Sequence, residues 1–141
     1  MTRIDFHSNV PDKVAYACRL VRKARAHAGD CKIVLLCANR QQQDALDQAL
    51  WTFSDVDFIP HVALDSPLAA QTPVILTDSD AAALPHYAML INLTPATPAH
   101  FARFERVFEI IAKDETDAVA GRKRYAFYKQ QGYALTHCVA A

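Results

Sequence analysis

A chain of 141 residues, 52% hydrophobic and 21% charged, has enough apolar matter for one packed core and too much to stay disordered. Its formal net charge of zero argues against a generic nucleic-acid binder, which carries a basic excess. No apolar run is long enough to span a bilayer, and the opening MTRIDFHSNV holds no apolar signal core, so the expectation is one soluble cytoplasmic domain over residues 1–141.

The zero net charge hides a segregation. Residues 1–40 carry eight Lys/Arg against three Asp, residues 41–100 seven Asp and no Lys or Arg, and residues 101–141 seven basic against five acidic side chains. Separation of this kind suits localised electrostatic docking of protein partners. The four cysteines (Cys18, Cys31, Cys37, Cys138) form no C-x-x-C, and three sit among apolar residues, so they read as structural thiols rather than disulfide or metal partners.

In chain order, Arg3–His7 alternates and predicts a short first strand. Ser8-Asn9 reads as a polar turn supplying an N-cap, with Pro11 in the first turn of a helix. Val10, Val14, Ala17, Cys18, Val21 and Ala24 recur at helical spacing, with Arg19, Arg22, Lys23 and Arg25 toward solvent and Gly29 closing the helix. The continuous apolar run KIVLLCA (Lys32–Ala38) predicts a strand buried on both faces, as in a parallel sheet. Asn39 and Gln42 form a capping box for a helix from Arg40 to about Trp51 that turns Ala45, Leu46, Ala49 and Leu50 inward.

Phe58-Ile59-Pro60-His61 is a short extended piece at a sheet edge, residues 62–72 a loop, and PVILT (73–77) and AMLINL (88–93) two further buried strands. Thr97-Pro98 can start a short helix carrying Phe101 and Phe104. RVFEII (106–111) is another strand, a helix follows over 114–131, and YALTHCV (133–139) is the last strand. The pattern predicts an α/β fold in three layers, with a mainly parallel sheet and helices on both faces.

The turn after the first strand, His7-Ser8-Asn9-Val10-Pro11, is where an open α/β sheet gathers its chemistry, and it has no glycine, so a phosphate-binding loop is excluded there. An enzyme reading would gather Asp5, His7, Asp78 and Asp80 at strand ends into the site of a small metal-dependent hydrolase. The same residues also read as turn chemistry and a strand end. Cys37 with His61 as base is a further nucleophile reading, set against a buried apolar cysteine.

Two features fit core packing poorly. The late helix opens with Asp114, Glu115 and Asp117, becomes basic, and stops at Gly132, as the macrodipole and a left-handed cap residue favour. Ala118, Arg122, Tyr125 and Lys129 share one of its faces and look outward, while Ala120, Gly121, Phe127 and Tyr128 are expected to pack. A small residue, a ring and two cations suit an anionic ligand with an apolar group. The second feature, Trp51 with Phe58, Pro60 and His61, lies in the segment without Lys or Arg and reads as an aromatic patch for a partner.

ALDQALW (45–51) followed by FIPH (58–61), with a buried strand just before, and GRKRYAFYKQQGY (121–133) together resemble the chi subunit of bacterial DNA polymerase III. The likeness covers essentially the whole chain. It implies a non-enzymatic clamp-loader accessory with a nucleotide-binding-like fold, no nucleotide site and no cofactor. It further implies two partners, the psi subunit and the acidic C-terminal tail of single-stranded-DNA-binding protein (SSB), with DNA contacted only indirectly. By this resemblance Arg122, Tyr125, Lys129 and Lys123 fall where the tail is received. Trp51, Phe58, Pro60 and His61 fall in the segment associated with psi and a helicase. Ala118 departs from the pattern, standing where another basic residue is expected.

Overall fold

In the computed structural model, which describes residues 2–27, 31–52, 59–80 and 83–140, seven strands make one sheet. They are β1 (Arg3–Val10), β2 (Ile33–Leu36), β3 (His61–Ala63), β4 (Val74–Thr77), β5 (Met89–Asn92), β6 (Arg106–Ala112) and β7 (Ala134–Val139). The helices are α1 (Lys13–His27), α2 (Arg40–Thr52) and α3 (Glu115–Gln130), with single 3-10 turns at Ala69–Gln71 and Phe101–Arg103. The strand order is β3-β4-β2-β5-β6-β1-β7, and every pairing is parallel.

Strand alternation divides the apolar residues between two cores. Ile33, Leu35, Val74, Leu76, Ile91, Phe108 and Ile110 point to the side of α1 and α2, where Ala17, Cys18, Val21, Leu46 and Leu50 meet them. Ile4, Phe6, Val34, Leu36, Ile75, Leu90, Val107 and Ile111 point to the other side, which Tyr128 of α3 and Phe104 close. The result is the expected three-layer α/β fold, and the central strands are apolar throughout because both of their faces are covered.

The structure corrects several local expectations. Ser8 and Asn9 are not a cap: β1 runs on to Val10 through a bulge between His7 and Val10, where Asn9 adopts φ 58°. The outer strand β7 causes the extension, since Ser8 pairs with Val139 and accepts a hydrogen bond from the Ala140 amide at 2.9 Å. Val10 is therefore a strand residue, and α1 is capped by Asp12, whose Oδ1 accepts from the Ala15 amide at 3.2 Å. On α2 the inward stripe is Gln43, Leu46 and Leu50, and Ala45 faces solvent. Residues 62–72 are not a plain loop, because Val62 and Ala63 pair with β4 and Ala69–Gln71 forms a 3-10 turn. Phe127 is 40% exposed rather than packed, since Gly121, Arg124 and Tyr128 make up the buried stripe of α3.

Gly29 and Phe58 lie outside the described residues. The Asn39–Gln42 box forms as expected: Asn39 Oδ1 accepts from the Gln42 amide, and Gln42 Oε1 accepts from the Ala38 amide, both at 2.8 Å.

Candidate functional site

Helix α3 is fixed at both ends and in the middle. Asp114 caps its N-terminus by accepting from the Asp117 amide at 3.0 Å. Asp117 accepts from the Ala112 amide at 2.6 Å and lies 2.9 Å from the Lys13 ammonium, which ties the helix start to β6 and α1. At the other end Gly132 (φ 85°) lets the Gly132 and Tyr133 amides reach back to the Lys129 and Tyr128 carbonyls at 3.1 and 3.2 Å.

Between them lies a buried polar network. Glu109 of β6 accepts from Asn92 Nδ2 (2.8 Å), Arg124 Nε (3.0 Å) and the Tyr128 hydroxyl (2.6 Å). Arg124 also donates to the Pro95 carbonyl at 2.8 Å. Burial holds the Glu109 carboxyl above its usual range despite the Arg124 charge, and burial together with the Glu109 charge raises the Tyr128 hydroxyl. Of the four cations on α3, Arg122, Lys123, Arg124 and Lys129, one is thus structural: Arg124 faces the core and is unavailable to a ligand.

The stripe beside it on α3, about a quarter-turn round the helix, opens onto a groove of about 590 Å³. Ala118, Arg122, Tyr125 and Lys129 of α3 form one wall, and Phe6, Ser8 and Asn9 of β1 with His137 of β7 form the other. Ile111, Ala112 and Lys113 close the end near the helix start. Between the long side chains of this wall, Ala118 and Ala126 leave space that larger residues would fill. Gly121 is pressed against Ile111, so closely that a Cβ on it would fall 2.4 Å from Ile111 Cδ1.

Tyr125 stands edge-on to Phe6, ring centroids 5.1 Å apart, which gives the groove an aromatic floor. The Ser8 hydroxyl and His137 Nε2 are hydrogen-bonded at 2.7 Å. Three cations line the groove (Lys113, Arg122 and Lys129) and no acidic side chain does so among the described residues. Just outside it, Glu115 Oε1 sits 3.1 Å from Arg122 Nη2.

The expected stripe residues Arg122, Tyr125 and Lys129 are brought together. Lys123 is not with them; it lines an adjacent groove with Val119, Phe127 and Thr116. Lys113 was missed from sequence, because nothing in a loop residue next to a helix cap says which way it faces. Phe6 and His137 were legible only as alternating strand residues, and their joint position depends on β7 lying beside β1.

On the far edge, Trp51 is 52% exposed at the end of α2, its ring 4.7 Å from that of His61. His61 is buried, with Nδ1 2.6 Å from the Ile59 carbonyl and Nε2 3.2 Å from Asp47 Oδ1, while Pro60 is half-buried. His61 therefore serves as a base on which Trp51 is held outward.

The hydrolase constellation does not assemble. Asp5 and His7 are on β1, whereas Asp78 and Asp80 follow β4, four strand positions away, or about 19 Å at the spacing of paired strands. Asp5 is occupied by Arg106 (2.7 Å), Arg3 (3.7 Å) and the Thr136 hydroxyl. Burial alone would raise its carboxyl, but these partners outweigh it and hold it below the usual range. Asp80 accepts from the Ala99 amide at 2.6 Å, and no group of three or more metal ligands occurs among the described residues. Cys37 is buried, and desolvation pushes its thiol up to about 12, so it is no nucleophile for His61 to activate.

Fold and site define a class: a three-layer α/β domain with an all-parallel seven-stranded sheet and a basic groove with an aromatic floor against its last helix. No helix among the described residues is long and apolar enough to cross a membrane. Over residues 1–136 the sequence matches the family described as DNA polymerase III chi subunit, HolC, and the chain belongs to that family. It is 34% identical over 139 residues to the DNA polymerase III subunit chi of Pseudomonas aeruginosa, covering 96% of this chain and 94% of that one. To the subunit of the same name from Haemophilus influenzae it is 25% identical over 105 residues, 74% of this chain and 73% of the relative. The family places the chain in DNA replication as a subunit of DNA polymerase III.

Proposed function

We propose that the chain is a non-catalytic adaptor that receives the acidic C-terminal tail of SSB in the α3 groove. By the same reading it joins the psi subunit, and through psi the clamp loader, by the face around Trp51. The observation that carries the tail reading is the groove itself, lined by Lys113, Arg122 and Lys129 around the Tyr125–Phe6 floor and by no acid. A tail of aspartates ending in an apolar ring would set its carboxylates on the three cations and its ring against Tyr125, Ile111 and Gly121. Arginine suits a carboxylate because its planar fork can donate two parallel hydrogen bonds. The small Ala118 removes a cation from the helix wall, and Lys113 supplies one to the same groove from the loop before the cap. Lys123 would act only at a distance, since it faces the neighbouring groove.

Calorimetric titration with a peptide copying the tail of the organism's own SSB tests the site. Micromolar-range binding that weakens with salt is expected, because the three cations stand at the surface. Arg122→Ala should cost about 1–3 kcal/mol of that affinity by removing a charge-assisted contact. No binding, or binding indifferent to Arg122, would remove the groove from the account. For the second face, Trp51→Ala should weaken psi binding by about 2 kcal/mol, as an exposed tryptophan anchor does, and leave the tail titration unchanged. Unaltered psi affinity would place that partner elsewhere, and the same variant tests a helicase partner on this face.

A further inference from the structure

Two of the three groove cations differ in a way that the helix pattern does not show. Arg122 is held by Glu115, with Nη2 and Oε1 3.1 Å apart, whereas Lys113 takes part in no ion pair among the described residues. Glu115 and Arg122 lie seven positions apart on α3, two turns along the same side, and both side chains are largely exposed. Glu115 has no other hydrogen-bond or ion-pair partner among the described residues, and it belongs to the helix's acidic first turn.

We propose that Glu115 is an internal competitor for the tail, occupying the guanidinium that the incoming carboxylate must take over. The inference rests on the tail reading given above. Binding would then exchange one carboxylate for another at Arg122, while Lys113 and Lys129 contribute their charge without displacing anything. Such a device lowers affinity for any anion that meets Arg122 alone. It favours a ligand carrying several carboxylates, because only that ligand gains Lys113 and Lys129 at the same time. An exposed pair is weak and screened by salt, so the competitor sets the threshold of binding without closing the groove.

The test is a double-mutant cycle read by calorimetric titration with the SSB-tail peptide on the wild type, Glu115→Gln, Arg122→Ala and the double variant. Glu115→Gln keeps the shape and helix position while removing the charge. It should tighten the tail by about 2–5-fold, the range of one exposed ion pair, and that gain should vanish in the Arg122→Ala background. A gain that persists without Arg122 would be a general field effect and would overturn the competitor role. Unchanged or weaker binding for Glu115→Gln, with Arg122→Ala still impaired, would also overturn it while leaving the tail site standing. Failure of the wild type to bind the tail would instead remove the functional reading itself.

Discussion

Gly121→Ala is the sharpest probe of how α3 approaches the sheet beside the groove. The added Cβ would lie 2.4 Å from Ile111 Cδ1, 2.9 Å from Cγ1 and 3.1 Å from Cγ2. The δ-methyl can swing away, but Cγ1 and Cγ2 branch directly from Cβ on a paired strand and cannot retreat together. Overpacking of this kind costs about 1–3 kcal/mol. Against it stands the gain of about 0.8–1 kcal/mol for replacing glycine by alanine inside a helix. The expected net loss is about 1 kcal/mol, or about 3–4 °C in Tm for a domain of this size.

Ile111→Ala removes Cγ1, Cγ2 and Cδ1 together, and with them every atom in conflict, and should cost about 2–5 kcal/mol alone through the vacated space. In the double variant the alanine methyl at 121 fills part of that space, so the pair should be less destabilised than the sum of the singles by about 1 kcal/mol. Thermal or urea unfolding of the four proteins measures the coupling directly. Strict additivity, or a Gly121→Ala variant more stable than wild type, would show that α3 can shift from β6 freely. The groove would then owe its shape to something other than this contact.

Two other perturbations probe the same framework. Arg124→Ala should destabilise by about 3–5 kcal/mol, because it leaves the fully buried Glu109 carboxylate without its cation; unfolding within 1 kcal/mol of wild type would refute a structural role for the pair. The His7 imidazole is shifted below its usual value, first by burial and then by the Arg106 and Lys23 charges against the opposing pull of Asp5. The folded state thus resists the proton that the unfolded chain accepts, and stability should fall as pH drops below about 6.5 toward the folded value. Tm measured from pH 7.5 to 5 should show that slope, and His7→Gln should flatten it; an unchanged slope would assign it to other groups.

The sequence by itself determined the elements and the outward stripe of the last helix. Apolar runs without alternation could be buried only on both faces, so KIVLLCA had to be a central parallel strand. A run of early acids, late cations and a terminal glycine could hardly be anything but a capped helix. Within that helix the 3.6-residue period put Arg122, Tyr125 and Lys129 on one face before any neighbour was known. Even the error about Phe127 has a local origin: apolarity alone does not say which side of a helix is covered.

Tertiary structure decided what faces that stripe. The order that places β7 beside β1, and both under α3, is set by pairings between residues more than a hundred positions apart, such as Phe6 with His137. No local period carries that information, because alternation fixes only which of two faces a side chain takes. The same long-range pairing turned Ser8 and Asn9 from a cap into strand. The order of the other strands separated Asp5 and His7 from Asp78 and Asp80 by the breadth of four strands, and the pairing of β6 with β1 brought Lys113 to the groove. Charge identity is local, but the partner a charge meets is not: Arg124 and Arg122 are two positions apart, and the fold buries one on Glu109 and leaves the other at the mouth of the groove.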